Sequence, residues 1–543
     1  MLISSTKNRI SFLGNYSENY VWIGSNNSIA FEAETIKAKL LNLDKPCYFV
    51  SKNGQIGVTN EGYLGDRHNG KSPEIETLTA IPPLLPQQLG DRNFLDFHKV
   101  KYAYMTGSMA NGIASEELVI ALGKENILSS FGAAGLVPER IKQAIKTIQN
   151  ALPNKPYCFN LIHSPSESVI EKSAVDLYLK YEVNNVEASA FLDLTPNIVY
   201  YRVAGLSVNS HNEIEVKNKV ISKVSRREVA TKFMQPAPTK ILKELVNQKL
   251  ISELQAKLAS FVPMADDITV EADSGGHTDN RPLVCLLPSI LALREEIQLQ
   301  YNYNTPIRVG AAGGIGTPHS ALGAFVMGAD YIVTGSINQS CIEAAASEHT
   351  KRLLAQAEMT DIMMAPAADM FEMGVKLQVL KRGTMFGMRS QKLYEIYENY
   401  NSIEEIPKLE KEKLEKQIFR KSLDEIWQET IIYFNQRDPQ QITRAENHPK
   451  RKMALIFRWY LGLSSHWSNI GKKGREIDYQ IWCGASMGAF NNWVKNSYLA
   501  EPQNRKVADI ANQIMIGSAY LYRLYNLKLQ RIIMAQKYFL YYP

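Results

Sequence analysis

The chain is 543 residues long, 45% hydrophobic and 21% charged, a globular balance that excludes disordered and fibrous classes. At roughly 100–200 residues per domain it is too long for one small module, and one large α/β domain with an appendage fits. Its 61 Lys and Arg against 55 Asp and Glu leave a net charge of +6, too mild and too scattered to mark a nucleic-acid partner.

No run approaches the ~18 apolar residues that would cross a bilayer, so no membrane partner is expected. The opening MLISSTKNRISFLG lacks the charged-then-apolar order of a secretion signal. The five cysteines (Cys47, Cys158, Cys285, Cys341 and Cys483) form no CxxC pair. That argues against a disulfide framework or a metal site and for a reducing, cytoplasmic setting.

In chain order, residues 1–85 hold short β-like runs (Tyr48-Phe49-Val50, Ile56-Gly57-Val58) and no long helical pattern. Residues 81–86 (IPPLLP) form a stiff boundary, because three prolines deny both helix and ladder hydrogen bonds. Across 86–345, strand-like runs fall at 101–106, 127–131, 157–162, 183–188, 219–224, 268–272, 307–311 and 331–334. Helix-compatible stretches lie between most of them. Eight such repeats over roughly 245 residues predict a (β/α)8 TIM barrel, an α/β fold, with a doubly wound open sheet as the rival. A further run at 198–204 (IVYYRVA) reads as a strand inserted after the fourth. Residues 346–543 are Lys/Glu-rich and read as a mostly helical subdomain. Apolar stripes at 409–434, ending at Asp438-Pro439, and at 505–535 are packing faces of that subdomain.

The chemistry is sought just after the strands, on the face where parallel barrels build active sites. Gly310-Ala311-Ala312-Gly313-Gly314-Ile315-Gly316 follows the seventh strand and Thr334-Gly335-Ser336 follows the eighth. Glycines let backbone N–H groups approach a phosphate, and barrels commonly hold phosphate between these two loops. After the sixth strand, Glu271-Ala272-Asp273-Ser274-Gly275-Gly276-His277 offers bare backbone to a flat ligand, with an imidazole at its edge able to exchange a proton near neutral pH. Gly107, Ser108 and Met109 after the first strand leave room for a ring system. Asn160 offers donors and an acceptor to a heterocycle, and Lys223 brings positive charge. Each also has a structural reading, as a tight turn or a buried partner. No HExxH occurs, and no GxGxxG follows the first strand, which weakens a Rossmann reading.

The segments SGGHTDNRP, GAAGGIGTPHSALGAFVMGADYIVTGS, GSMANGIASEELV, SSFGAAGLVPERI and GASMGAFNNWVKNSYL resemble the PfaD family. These are the trans-acting enoyl reductases of polyunsaturated fatty acid and trans-acyltransferase polyketide synthases. More distantly, the barrel is similar to nitronate monooxygenases. The resemblance implies FMN in the barrel, NADPH or NADH as reductant, and a helical subdomain over the site. It also implies an acyl carrier protein bearing an enoyl thioester as partner, within a polyketide or fatty acid synthase megacomplex, and a homodimer. Carried over by position, it assigns Gly107, Ser108 and Met109 to the loop under the flavin and Asn160 to a polar contact. Ala272, Gly275 and Gly276 fall to the turn beside the ring, and Gly313, Gly314, Gly335 and Ser336 to the phosphate grip. His277 matches the active-site histidine, and Lys223 is a looser match. Gly107-Ser108 departs from the Gly-Ala of many relatives. The alternatives are a nitronate monooxygenase and a non-catalytic protein that docks carriers.

Overall fold

The computed structural model describes residues 10–12, 20–66, 74–163 and 168–543. At its centre, eight strands close a wholly parallel barrel: β1 (Tyr104–Thr106), β2 (Leu128–Phe131), β3 (Cys158–Ile162), β4 (Asn185–Ser189), β5 (Lys219–Val224), β6 (Asp267–Glu271), β7 (Arg308–Ala312) and β8 (Ile332–Thr334). Their spatial order is their chain order, and β8 pairs with β1 through Ile332↔Tyr104 and Thr334↔Thr106. This is the expected TIM barrel, and the open-sheet rival falls. Each of the eight predicted runs overlaps a barrel strand, offset by one residue at three of them.

Alternation sorts each strand into an outer apolar row and an inner row. Val186, Ile268 and Val270 pack outward in the helical core, while Met105, Leu128, Cys158, Ile221, Tyr331 and Val333 fill the lower interior. Below them the helix Arg92–His98, capped by Asp91, inserts Phe94 against Tyr331 and closes the base. A buried ion network completes the plug: Arg308 donates to Asp267 Oδ1 at 2.6 Å, and His98 Nε2 lies 2.8 Å from Asp267 Oδ2. Towards the other end the interior turns polar, through Asn160, Glu187, Lys223 and Glu271. The barrel is therefore sealed at one end and chemically equipped at the other.

The run at 198–204 is not a strand. It lies in the helix Pro196–Ala204, which follows β4 in the regular alternation. Thr195 caps its start by accepting the Ile198 N–H, and Pro196 occupies the first turn. That start signal outweighs the β-branched and aromatic composition. The true insertion is the hairpin Leu206–Val208 with Ile214–Val216.

Other helices follow their local signals, with Ser115 and Thr317 capping Glu116–Lys124 and Pro318–Val326. After β8 no barrel helix follows directly. Instead the long helix Val507–Leu529 packs between Pro318–Val326 and Glu116–Lys124, taking the eighth place in the ring. Gly517 permits this approach: a Cβ there would stand 2.5 Å from Pro318 Cγ. The same helix carries Arg523, which donates to the carbonyls of Leu40, Asn42, Leu43 and Lys45 at 2.9–3.2 Å. It thereby holds the end of the helix Ala33–Leu41 in the N-terminal part. There, strands Cys47–Lys52, Gln55–Thr59 and Ile75–Ile81 form an antiparallel sheet. Its first hairpin turns at Asn53-Gly54, both with positive φ, as a two-residue turn of the twist-matched type requires.

The region after 345 is helical but not only so. Strands Ile362–Pro366 and Lys376–Leu380 pair antiparallel, and the second also pairs with Gly276–His277 from the β6 loop. The apolar stripe at 409–434 is broken at Arg420, which has φ +59°, before Ser422 caps a new helix, Leu423–Arg437. No helix among the described residues is long and apolar enough to cross a membrane.

Candidate active site

Five loops meet at the C-terminal rim of the barrel. After β1, the Gly107 N–H donates to the Thr334 carbonyl at 2.9 Å, tying the β1 and β8 loops together. The next amide, Ser108 N–H, donates to Glu187 Oε2 at 2.9 Å. Met109 is half-buried, and its carbonyl crosses so close to Gly132 that a Cβ there would stand 1.8 Å away. Gly132, from the β2 loop, carries no signal of its own in the sequence, yet the β1 loop could not lie where it does over any other residue.

Asn160 commits its amide nitrogen to the protein, donating to the Glu187 carbonyl at 3.1 Å and Ser189 Oγ at 2.9 Å. Only its Oδ1 is left for a ligand. Glu187, inside β4, is fully buried, and its Oε1 has no hydrogen-bond partner among the described residues. It is a rim residue that sequence reasoning misses, as it misses Gly132, although a carboxylate inside an apolar strand is itself a signal. Lys223 Nζ lies 3.0 Å from Glu271 Oε1. Burial works against its charge, but the carboxylates of Glu271 and Glu187 outweigh burial and lift its pKa above the ordinary lysine value. The rim floor thus carries one ammonium between two carboxylates.

The β6 and β7 loops interlock. Ala272 N–H donates to the Ala312 carbonyl at 3.0 Å, and a Cβ on Gly313 (φ +86°) would stand 2.7 Å from the Ala272 carbonyl carbon. Gly313 therefore serves close approach of two loops. Gly276 (φ +81°), Gly314 (φ +72°) and Gly335 all face space in which an added Cβ meets nothing within 4 Å. Gly275 does not: it packs on the backbone of Cys483 and Gly484, 2.9 Å from a would-be Cβ. Ser336 opens a short 3-10 turn, and its Oγ accepts the Gly484 N–H at 2.9 Å. The predicted residues thus share one rim, but Asn160, Gly275, Gly313 and Ser336 spend part of their chemistry on the protein itself.

His277 stands at the barrel rim with 38% of its side chain open, and its Nε2 is 3.0 Å from Oδ1 of Asp369. Burial alone would lower its pKa. The hydrogen bond and charge of Asp369, helped by Glu271, raise it on balance, so the ring holds a proton more readily than an ordinary histidine. Asp369 has no local signal in the sequence, since it reaches the site from 92 residues away.

Two letter patterns acquire meaning only in the fold. Residues 65–72 (GDRHNGKS) spell a phosphate-binding P-loop, which needs a following helix. The flanking elements are the strands Tyr63–Asp66 and Ile75–Ile81, and residues 67–73 lie outside the described part. Residues 484–488 (GASMG) spell a nucleophile elbow. Yet Ser486 opens the helix Ser486–Val494 after an isolated bridge at Trp482, and no histidine among the described residues bonds it. Among the described residues no cluster of metal ligands occurs.

Comparison with known proteins matches three family models. The fatty acid synthase subunit PfaD N-terminal domain covers residues 22–83, and nitronate monooxygenase covers 92–401. The inserted helical domain of [acyl-carrier-protein] S-malonyltransferase covers 400–479. The chain is 46% identical over 513 residues to one of the polyunsaturated fatty acid synthase subunits of Thraustochytrium sp., covering 93% of this chain and 34% of that protein. It is 44% identical over 467 residues to the polyketide biosynthesis protein PksE of Bacillus subtilis, covering 82% of this chain and 60% of that one. The chain thus spans between about a third and three fifths of these relatives. A crystal structure of the enoyl reductase domain of MlnA, from the macrolactin biosynthesis cluster of Bacillus amyloliquefaciens, superimposes with a TM-score of 0.78. The two are 40% identical, and the match covers 82% of this chain and 99% of that domain. The chain belongs to the PfaD family, on a barrel of the nitronate monooxygenase type.

Proposed function

We propose that the protein is an FMN-dependent enoyl reductase. In this reading it reduces the α,β-double bond of enoyl thioesters carried on an acyl carrier protein, with NADPH or NADH as reductant. The observation that carries it is the pairing of bare backbone at Gly276, Gly314 and Gly335 with His277, held by Asp369 at 3.0 Å, on one barrel rim. That set fits FMN. The open amides after β7 and β8 suit its phosphate, and Lys223 suits an electron-rich ring. When bound, FMN supplies the relay that carries hydride from the nicotinamide to the thioester β-carbon.

The chain's own residues have the remaining tasks. As hydride arrives at the β-carbon, negative charge builds on the thioester oxygen and the α-carbon needs a proton. His277 donates to one of those two positions. Gly107, Ser108 and Met109 shape the floor on which a ring lies, and Asn160 Oδ1 offers it an acceptor. The match of residues 400–479 to a helical domain from an enzyme of carrier-protein chemistry supports a carrier-bound substrate held in a synthase assembly.

The nitronate monooxygenase match over residues 92–401 supports a second reading, oxidation of nitronates by oxygen. Purified protein is first examined for flavin absorbance, then given a crotonyl thioester with NADPH, and a nitronate under air. Thioester-dependent NADPH oxidation supports the reductase. Turnover of nitronate alone refutes it, and failure to take up added FMN refutes both.

A further inference from the structure

We propose that Asp369 is a positioning residue, which aims the His277 ring for proton delivery from a hairpin that pairs with the β6 loop at the barrel rim. The hairpin is formed by Ile362–Pro366 and Lys376–Leu380, and Asp369 stands in its tip. The hairpin grips His277 twice. Its second strand pairs with the β6 loop through His277↔Leu377 and Gly276↔Gln378, which orients the backbone. Its tip supplies the carboxylate 3.0 Å from His277 Nε2, which orients the ring. With Nε2 so engaged, Nδ1 is the nitrogen left without a protein partner among the described residues. A carboxylate on one imidazole nitrogen sets which way the ring faces and favours its protonated state.

The surrounding charges agree. Asp369 is half-buried, and burial would favour its neutral form, but the hydrogen bond and charge of His277 hold its carboxyl below the usual range. Arg458, paired with Glu372 at 3.3 Å beside the hairpin tip, adds to that. From the barrel side Glu271 favours the imidazolium and Lys223 opposes it, and these two are paired with each other at 3.0 Å. Asp273 is taken up by Gln378 Nε2 at 2.9 Å. Asp369 is thus the one carboxylate bonded to the ring among the described residues.

The proposal rests on the reductase reading for its use of the proton, whereas the contact itself is testable without substrate or cofactor. The experiment follows the histidine ring protons by NMR against pH in the full chain, with the His277 signal assigned among the nine histidines by its loss in His277→Gln. The expected midpoint lies above the ordinary ~6.5 in the native protein, falls by about one pH unit or more in Asp369→Asn, and recovers in Asp369→Glu. The basic limb of kcat/KM for a crotonyl thioester moves the same way, so that Asp369→Asn loses roughly tenfold of its rate per unit shift at high pH. Circular dichroism shows whether Asp369→Asn keeps its fold, and Asp369→Glu provides a second reading if it does not. An unmoved His277 midpoint in a folded Asp369→Asn overturns the proposal. A midpoint that moves while the rate profile stays still overturns the proton-delivery role, and leaves the reductase reading to be judged on thioester turnover alone.

Discussion

Gly313 and Gly314 are adjacent, and both have φ values that an L side chain resists, yet the structure gives them different work. Alanine at either position costs about 1–2 kcal/mol for the left-handed backbone. At Gly313 the new Cβ would also sit 2.7–2.8 Å from the backbone of Ala272 and Asp273, so the β6 and β7 loops must part, which costs about a further 1–3 kcal/mol. At Gly314 it would meet nothing. Gly313→Ala is therefore expected to lower stability by about 2–5 kcal/mol and Gly314→Ala by only about 1–2 kcal/mol. Cofactor affinity is expected to report Gly314 more strongly, because that open space is where the proposed phosphate lies. We expect Gly314→Ala to weaken FMN at least about tenfold, equivalent to ~1.4 kcal/mol. Denaturant midpoints measure the first quantity, and quenching of FMN fluorescence on titration measures the second. Equal destabilisation by the two variants, or unchanged FMN binding in Gly314→Ala, refutes the division of labour between them.

Further outcomes are expected elsewhere in the molecule. His277→Ala retains flavin and fold but loses at least about a hundredfold in thioester reduction; native turnover removes His277 from the mechanism. At the barrel base, burial outweighs Asp267 and lowers the His98 pKa, whereas Arg308 and His98 overcome burial and hold the Asp267 carboxyl well below its usual range. Both groups bind protons more readily when unfolded, so stability is full above about pH 6.5 and declines on acidification, first through His98 and then, below about pH 4, through Asp267. Denaturant midpoints at pH 8 and pH 5 measure this, and His98→Gln is expected to flatten the decline between them. Asp267→Asn leaves Arg308 buried without its counter-charge and is expected to cost about 3–5 kcal/mol; a variant of native stability contradicts the network. Arg523→Met frees the four carbonyls that Arg523 holds, so amide exchange in Ala33–Leu41 is expected to quicken while that of β1–β8 stays slow. Unchanged exchange there rejects the latch.

The strand rhythm of the barrel is legible because each strand buries its own apolar residues and needs no distant partner to be recognised. The glycine loops are legible for a related reason: their spacing after β6, β7 and β8 lies within single short segments. Where composition and start signals conflict, as at 198–204, the cap formed by Thr195 and Pro196 prevails over the β-branched run. Glu187 is visible in principle, being a carboxylate in a buried strand, but its partner Ser108 is 79 residues away.

Local chemistry therefore determines the repeating units, the glycine turns and the position of His277 at a strand's end. Tertiary structure decides what those units are for. It places the terminal helix Val507–Leu529 in the barrel ring, packs Gly275 on Gly484 instead of open space, and brings Asp369 to the imidazole. None of these contacts leaves a periodic trace, because each joins residues whose neighbours along the chain have no share in it. A hydrogen bond between distant segments is chosen by the closing of the whole fold, and only the folded chain records which one was made.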